Sequence, residues 1–236
     1  MRLEKKIIVA TALALLLVPG STLLAADGKD AILRQLDAAA AKFHNATADF
    51  QFDTVQTDPI PDTTTQKGTA YYERESKGFH MAAHIREEDG KPAPKVYSYT
   101  NGTVQLFEQN VNQVTKLSKL SQYESWFMLG FGASGKDLED KWEIKDLGPD
   151  TLKEGTTSFK TEKLELVPKD LAVRKNVPKV QIWLDMDLAI SRKQIIFEGS
   201  GQYRVCVYFN VRANQKKLPD DAFKFATDKQ TTYVSR

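Results

Sequence analysis

Alternation of apolar and polar residues with a period of two dominates this chain and predicts mostly β-strands. The clearest case is Tyr203–Arg212, where Val205, Val207, Phe209 and Val211 occupy every second position. Such alternation places successive side chains on opposite faces of a sheet. The other predicted strands are Asp49–Thr54, Lys67–Arg74, Gly78–Ile85, Lys95–Thr100, Val104–Glu108, Gln113–Leu117, Trp142–Asp146, Thr157–Pro168, Lys179–Met186, Ser191–Gly199 and Ala222–Ala226.

Two stretches have helical rather than strand character. Near the N-terminus, with Asp27 or Asp30 as a possible cap, apolar residues recur at helical spacing: Ile32, Leu33, Leu36, Ala40 and Phe43. A second apolar run, Tyr123–Phe131, predicts a short central helix that Gly132–Gly135 ends, and Lys136–Lys141 adds a further turn.

Strands that follow one another without intervening helices favour an antiparallel sheet, here large enough to curl. The chain shows no linker and no internal repeat. We therefore predict one mainly β domain, an incomplete antiparallel β-barrel of about eleven strands. Its N-terminal and central helices would form a lid over an apolar cavity.

The first 26 residues have the order of a secretory signal peptide. Arg2, Lys5 and Lys6 precede the apolar run Ile7–Val18, and Pro19-Gly20 and the small residues Ala25-Ala26 follow. The run is too short to anchor the chain in a bilayer. This predicts cleavage near Ala26, export of residues 27–236, and no ATP-dependent chemistry. Since no Cys lies near the junction, a lipid-modified N-terminus is not expected.

The charge balance argues against polyanion binding. Residues 1–26 hold three of the 33 basic residues and one of the 31 acidic residues, so the remaining chain is formally neutral. Nucleic-acid-binding proteins usually carry a basic excess, and no nucleic acid partner is expected. The single cysteine, Cys206, cannot form an internal disulfide and is predicted to be a small buried residue.

Motifs for catalysis or metal binding are weak. Gly130–Lys136 matches much of a P-loop, but Asp137 stands where a hydroxyl residue belongs, which favours a glycine-rich hinge. His80 and His84 would lie about 13 Å apart along one strand, too far to share a metal. Asp185–Asp187 lacks the oxygen-rich loop that calcium needs. With no nucleophile motif either, we expect no cofactor, no metal and no enzymatic activity.

A curved sheet covered by helices can keep an apolar cavity rather than fill its own interior. Each bulky residue taken alone is compatible with an ordinary core, so the hypothesis concerns the set. The predicted wall comprises Phe50, Phe52, Tyr72, Tyr99, Phe107, Ile182, Leu184, Ile196 and Phe209. The predicted lid comprises Trp126, Phe127, Met128 and Phe131.

Arg74, at the end of a predicted strand, has two interpretations. It can be an ordinary solvated charge, or its planar donors can bind the backbone carbonyls of a lid helix. In the second case the arginine would act as a lid latch that links closure to occupancy.

Several segments, in their order, resemble the periplasmic outer-membrane lipoprotein carrier family (LolA-like) over essentially the whole mature chain. The helix ending at Phe43 precedes Gly68-Thr-Ala-Tyr-Tyr-Glu-Arg74, which is similar to the family's glycine-strand-arginine segment. The later matching segments are Phe79–Met81, Asn101-Gly102, Leu166–Pro168, Val180–Asp185, Tyr208–Val211 and Leu218–Phe225.

The resemblance implies an incomplete barrel that takes an acylated lipoprotein from an inner-membrane lipoprotein-releasing ABC transporter. The carrier then hands it to an outer-membrane acceptor, and a soluble periplasmic monomer is implied. The family's arginine binds the lid helix, and Arg74 occupies the matching position. Proline often follows that arginine, whereas Glu75 follows here and could pair with Arg74, weakening its grip.

Two alternatives remain open from the sequence. One is a related carrier or sensor for another amphiphile, such as a glycolipid or a free lipid. The other is an enzyme using the same pocket, which would need a polar cluster that the sequence does not supply.

Overall fold

A computed structural model describes residues 22–76, 78–100, 102–117 and 129–235. These residues form one twelve-stranded sheet and three α-helices. The helices are α1 (Thr22–Ala40), α2 (Gly135–Lys141) and α3 (Leu171–Asn176). The strands are β1 (Asn45–Gln56), β2 (Asp62–Arg74), β3 (Phe79–Glu88), β4 (Lys91–Thr100), β5 (Thr103–Glu108), β6 (Gln113–Leu117), β7 (Trp142–Glu154), β8 (Thr157–Pro168), β9 (Lys179–Asp185), β10 (Ile190–Phe197), β11 (Tyr203–Ala213) and β12 (Thr232–Ser235).

The sheet is open. Its strand order is β12-β6-β5-β4-β3-β2-β1-β11-β10-β9-β8-β7, so β12 and β7 are the two edges among the described strands. Every neighbouring pair is antiparallel except β12 and β6, which run parallel. The predicted fold class, an incomplete antiparallel barrel with helices, is confirmed.

The C-terminal part of the chain differs from the prediction. Ala222–Ala226 is not a strand but lies in a turn and an extended connection. Ala222 N donates to the Pro219 carbonyl and Lys224 N to the Asp221 carbonyl, and these turns take the amides that strand pairing would need. The last strand is instead β12.

The helical predictions are met in part. Helix α1 begins at Thr22, so Asp27 and Asp30 lie inside it rather than at its cap, and the predicted cleavage site near Ala26 falls within it. Trp126, Phe127 and Met128 lie outside the described residues. Phe131, at the end of the predicted central helix, forms an isolated bridge with Ile190 instead. None of the described helices has both the length and the apolar character to span a bilayer.

Two apolar clusters lie on the inner face of the sheet, the face covered by α1 and residues 129–134. In one, the ring of Tyr72 stacks on Phe79 and Phe131, with centroids 5.3 and 5.9 Å apart. In the other, Leu36 of α1 packs on Leu164 and other residues of β8 and β9. Full burial of one such large side chain contributes roughly 1.5–3 kcal/mol, so the second cluster, which contains Leu36 and Ala40, holds α1 to the sheet.

The opposite, outer face is partly covered by the C-terminal strap, residues 214–231. Phe223 contacts His80 with ring centroids 5.6 Å apart, and Phe225 stacks on Phe107 at 5.1 Å. Beyond the strap, β12 joins the edge of the sheet at β6. Among the described residues, the inner face is covered by α1 and the residues around Phe131.

Candidate ligand-binding cavity and the Arg74 contact

The inner face contains a cavity of about 400 Å³. The strands β1 to β5, β10 and β11 all contribute to its wall. Its larger apolar and aromatic lining residues are Phe50, Phe52, Met81, Ile85, Tyr97, Tyr99, Val104, Cys206 and Tyr208, and its polar ones include Gln66, Gln194 and Arg204. This is a size and chemistry typical of ligand pockets, which are mostly apolar with a few placed polar groups.

Gly68 makes room for one wall of the cavity. A Cβ at Gly68 would stand 2.9 Å from Cζ of Phe50 and 2.2 Å from the carbonyl oxygen of His84. Only a glycine therefore lets the Phe50 ring lie across β2 while β3 pairs closely on the other side. The glycine of the glycine-strand-arginine segment thus has a packing role.

The predicted wall residues are distributed over three places. Phe50, Phe52 and Tyr99 line the cavity. Tyr72 and Phe131 are fully buried in the aromatic cluster beside it. Ile182 and Leu184 are buried beneath α1 in the second cluster, with Ile196 partly buried against them.

Phe107 and Phe209 do not face the cavity, so their predicted place on its wall is wrong. Phe107 lies on the outer face beneath Phe225. In β11, Tyr208 and Cys206 pair with Phe50 and Phe52 and share their inner face, so Phe209 opposite Asp49 points outward. The apolar residues of the strong Val205–Phe209 alternation therefore lie on the outer face.

Within β11, a β-bulge then exchanges the positions that face inward and those that face outward. Asn210 has φ 51°, and the register shifts between Thr47 and Asp49 of β1 opposite it. One extra residue in a strand moves the following side chains to the other face. Val211 and Ala213 consequently pack against the inner cluster.

Some cavity residues were missed from the sequence. Met81 and Val104 flank Tyr99 across β3, β4 and β5, and all three line the cavity. The alternation of Phe79, Met81 and Ala83 was a signal that could have found Met81. Tyr208 gave no such signal, because it lies at one of the positions of β11 that the alternation marks as polar.

Arg74 connects the sheet to the elements that cover it. Its Nη1 donates to the carbonyl oxygen of Ala40 at 2.6 Å, and its Nη2 donates to that of Gly132 at 2.6 Å. Its backbone N–H also donates to the His44 carbonyl at 2.7 Å. Glu75 does not pair with this arginine; its carboxylate lies 3.5 Å from Nε2 of His80.

The glycine-rich segment packs within the protein. Gly132 has φ 69°, and a Cβ there would stand 2.4 Å from the Phe43 ring. Gly132 N donates to the Ala189 carbonyl. Ser134 caps α2 by accepting from Asp137 N, and the Asp137 side chain accepts from Ser134 N in return. Asp137, the departure from a P-loop, thus completes a capping box.

Titratable groups near the inner face are shifted by burial. Burial raises the pKa of Cys206 to about 12, and it raises the pKa of Tyr208 well above its ordinary value. Burial, with a hydrogen bond and charge repulsion from Asp146, raises the pKa of Glu162 to about 7. In the part of the chain that is described, no three His, Cys, Asp or Glu side chains come together as a metal site.

No protein-family model and no curated protein matches the sequence. Solved structures similar to this chain include an uncharacterized conserved protein from Thermus thermophilus, at 11% identity and TM-score 0.53, covering 89% of this chain and 99% of that one. MucB is similar at 11% identity and TM-score 0.50, with 87% of this chain and 66% of MucB covered.

A LolA superfamily protein from Nitrosomonas europaea, NE2245, also matches, at 16% identity and TM-score 0.40, covering 84% of this chain and 97% of that one. At these identities the likeness is one of fold. The chain has an open β-barrel fold with covering helices, and its structural neighbours include LolA superfamily and lipoprotein-sorting domain proteins.

Proposed function

We propose that this protein is a periplasmic carrier that shields the acyl chains of lipoproteins and moves them from the inner to the outer membrane. The observation that carries the proposal is the apolar cavity on the inner face. Arg74, four residues beyond the lining residue Ala70 in β2, binds the end of α1. The loading partner would be an inner-membrane lipoprotein-releasing ABC transporter, and the receiving partner an outer-membrane acceptor.

The energetics of an acyl chain fit such a cavity. Each methylene group kept from water contributes roughly 0.8 kcal/mol, so a sixteen-carbon chain left exposed would cost up to about 12 kcal/mol. The cavity, at about 400 Å³, offers burial before any movement of the covering elements. Longer or additional chains would have to displace α1 or the segment around Phe131 from the same apolar surface.

This competition gives the carrier a way to release cargo without ATP. Leu36 and Phe131 bury apolar surface on the sheet when no cargo is present. Cargo that enters loses part of its gain because it displaces these contacts. Binding is then weak enough for a partner with a more favourable site to take the cargo.

A cavity-filling variant tests whether the inner face binds acyl chains. Ala83 lines the cavity, and Ala83→Phe would occupy its volume. The matched control is Val207→Phe, on the outer face, where the side chain is 36% exposed. We expect Ala83→Phe to weaken binding of a fluorescent palmitoylated peptide about tenfold or more, since space for at least two methylenes is lost. Equal affinity of both variants and the parent protein would contradict binding in this cavity.

Mass spectrometry of the protein isolated from its native envelope identifies the cargo. Co-purifying triacylated peptides support the lipoprotein carrier. Free lipid or glycolipid without peptide would instead support a carrier or sensor for another amphiphile.

A further inference from the structure

One polar side chain of the cavity wall has a buried nitrogen that makes no hydrogen bond with the described residues. Gln194 of β10 pairs across the sheet with Cys206 on one side and Ile182 on the other, and it shares their inner face. It lines the cavity and is only 5% exposed. Its amide Nε2 is buried and has no hydrogen-bond partner among the described residues.

An unpaired buried amide is costly, because the group has lost its water without gaining a partner. An apolar residue of similar shape, such as Met, would avoid that cost at this position. A ligand that supplies the missing acceptor would offset it. The position of Gln194 in the wall therefore points to the ligand and not to the fold.

The main chain at Gly130 lies close to the amide. A Cβ at Gly130 would stand 3.3 Å from Gln194 Nε2 and 3.2 Å from the hydroxyl of Tyr208. A side chain at position 130 would thus crowd both polar groups, and both residues line the cavity. The hydroxyl of Tyr208 also interacts with the thiol of Cys206.

This polar spot suits a neutral acceptor. Burial raises the pKa values of both Cys206 and Tyr208, which shows that the surroundings disfavour negative charge. Arg204, the charged residue of the lining, is paired with Glu198 at 2.8 Å. A free carboxylate beside Gln194 would be desolvated without a cation of its own, whereas a carbonyl oxygen would not carry that cost.

We propose that Gln194 recognises the carbonyl of an ester- or amide-linked acyl chain, so that the cavity selects acyl groups over free fatty acids and plain alkyl chains. This inference rests on the proposed carrier function and specifies its ligand. The carboxamide donates to the acyl carbonyl, with the Tyr208 hydroxyl beside it. Rotation of the carboxamide towards the ligand breaks no hydrogen bond made by Nε2, because that nitrogen has none among the described residues.

A matched pair of lipids tests the inference. Dipalmitoylglycerol carries two ester carbonyls, and dihexadecylglycerol has the same chain length with ether links, whose oxygens are weaker acceptors. Both are presented in detergent micelles as competitors of a fluorescent alkyl probe. We expect the parent protein to prefer the ester lipid by about three- to tenfold, the value of one hydrogen bond. Gln194→Met should abolish the preference while still binding the ether lipid.

Each result has a defined meaning. Equal binding of the two lipids by the parent protein, or an unchanged ester preference in Gln194→Met, overturns the role of Gln194 and leaves the carrier function standing. Failure of both lipids to bind overturns the carrier function together with the inference. Thermal unfolding of lipid-free Gln194→Met provides an independent readout: the midpoint should equal or exceed that of the parent, and a clear decrease would show that the amide already has a partner.

Discussion

The guanidinium of Arg74, at the end of β2, donates a 2.6 Å hydrogen bond to the carbonyl oxygen of Ala40, the last residue of α1. The last carbonyls of a helix have no partner within the helix, and a cation at that end is favoured by the helix dipole. Since the second arm of the same guanidinium holds Gly132, one side chain ties two covering elements to the sheet.

Arg74→Leu should loosen α1 without unfolding the sheet. Each hydrogen bond to a charged group contributes about 1.5–3 kcal/mol, and this substitution removes two of them. We expect faster amide hydrogen exchange in α1 and unchanged exchange in β9 and β10. A bound acyl ligand should also be retained more tightly, because the loosened α1 competes less well with the ligand for the apolar surface of the sheet.

The control for Arg74 is Arg86→Leu, which removes an ion pair with Asp49 from a side chain that is 59% exposed and does not line the cavity. Transfer of cargo by Arg74→Leu at the rate of the parent protein would show that the arginine is not a latch.

Gly132→Ala should be more destabilising than an alanine at another glycine of positive φ. The left-handed backbone costs a non-glycine residue roughly 1–2 kcal/mol. At Gly132 the new Cβ would also collide with the Phe43 ring, which adds about 1–3 kcal/mol of overpacking. The matched control is Gly201→Ala, with φ 86° and no described atom within 4 Å of the new Cβ. Chemical denaturation compares the two, and equal losses would contradict the tight packing at Phe43.

Stability should fall as the pH rises through the range in which Glu162 loses its proton. The pKa of this group is raised from 4.5 to about 7 in the folded state, which therefore holds the proton more tightly than the unfolded chain. The stabilisation is complete below about pH 4.5 and is lost by about pH 7.

Glu162→Gln should remove this part of the pH dependence, measured as the thermal midpoint across the range. Asp62→Asn, at an exposed position, serves as control and should leave the slope unchanged. A slope that persists in Glu162→Gln would assign the effect to another group.

Cys206 should resist thiol reagents in the native protein. The thiolate is the reactive form, and burial raises the pKa of this thiol to about 12. We expect negligible labelling by Ellman's reagent at mildly alkaline pH and complete labelling in concentrated urea. Rapid labelling of the native protein would show that the wall of the cavity beside Tyr208 opens readily.

Much of the architecture could be predicted from local patterns. The period-two alternation predicted most of the strands, and their succession without helices predicted an open antiparallel sheet. The C-terminal segment Ala222–Ala226 was wrongly predicted as a strand, because its alternating Phe223 and Phe225 are partly buried by packing onto His80 and Phe107 rather than by strand pairing.

The sequence by itself thus determined that a curved sheet with two faces would form and that Arg74 would stand at a strand end, but it left open whether this arginine is solvated or binds a lid helix. Only the tertiary structure decided which face encloses the cavity. Alternation is symmetric between the faces of a strand, and a single bulge such as that at Asn210 exchanges them. The choice depends on what covers each face, α1 on one side and the C-terminal strap on the other, and both are contacts between residues far apart in the chain.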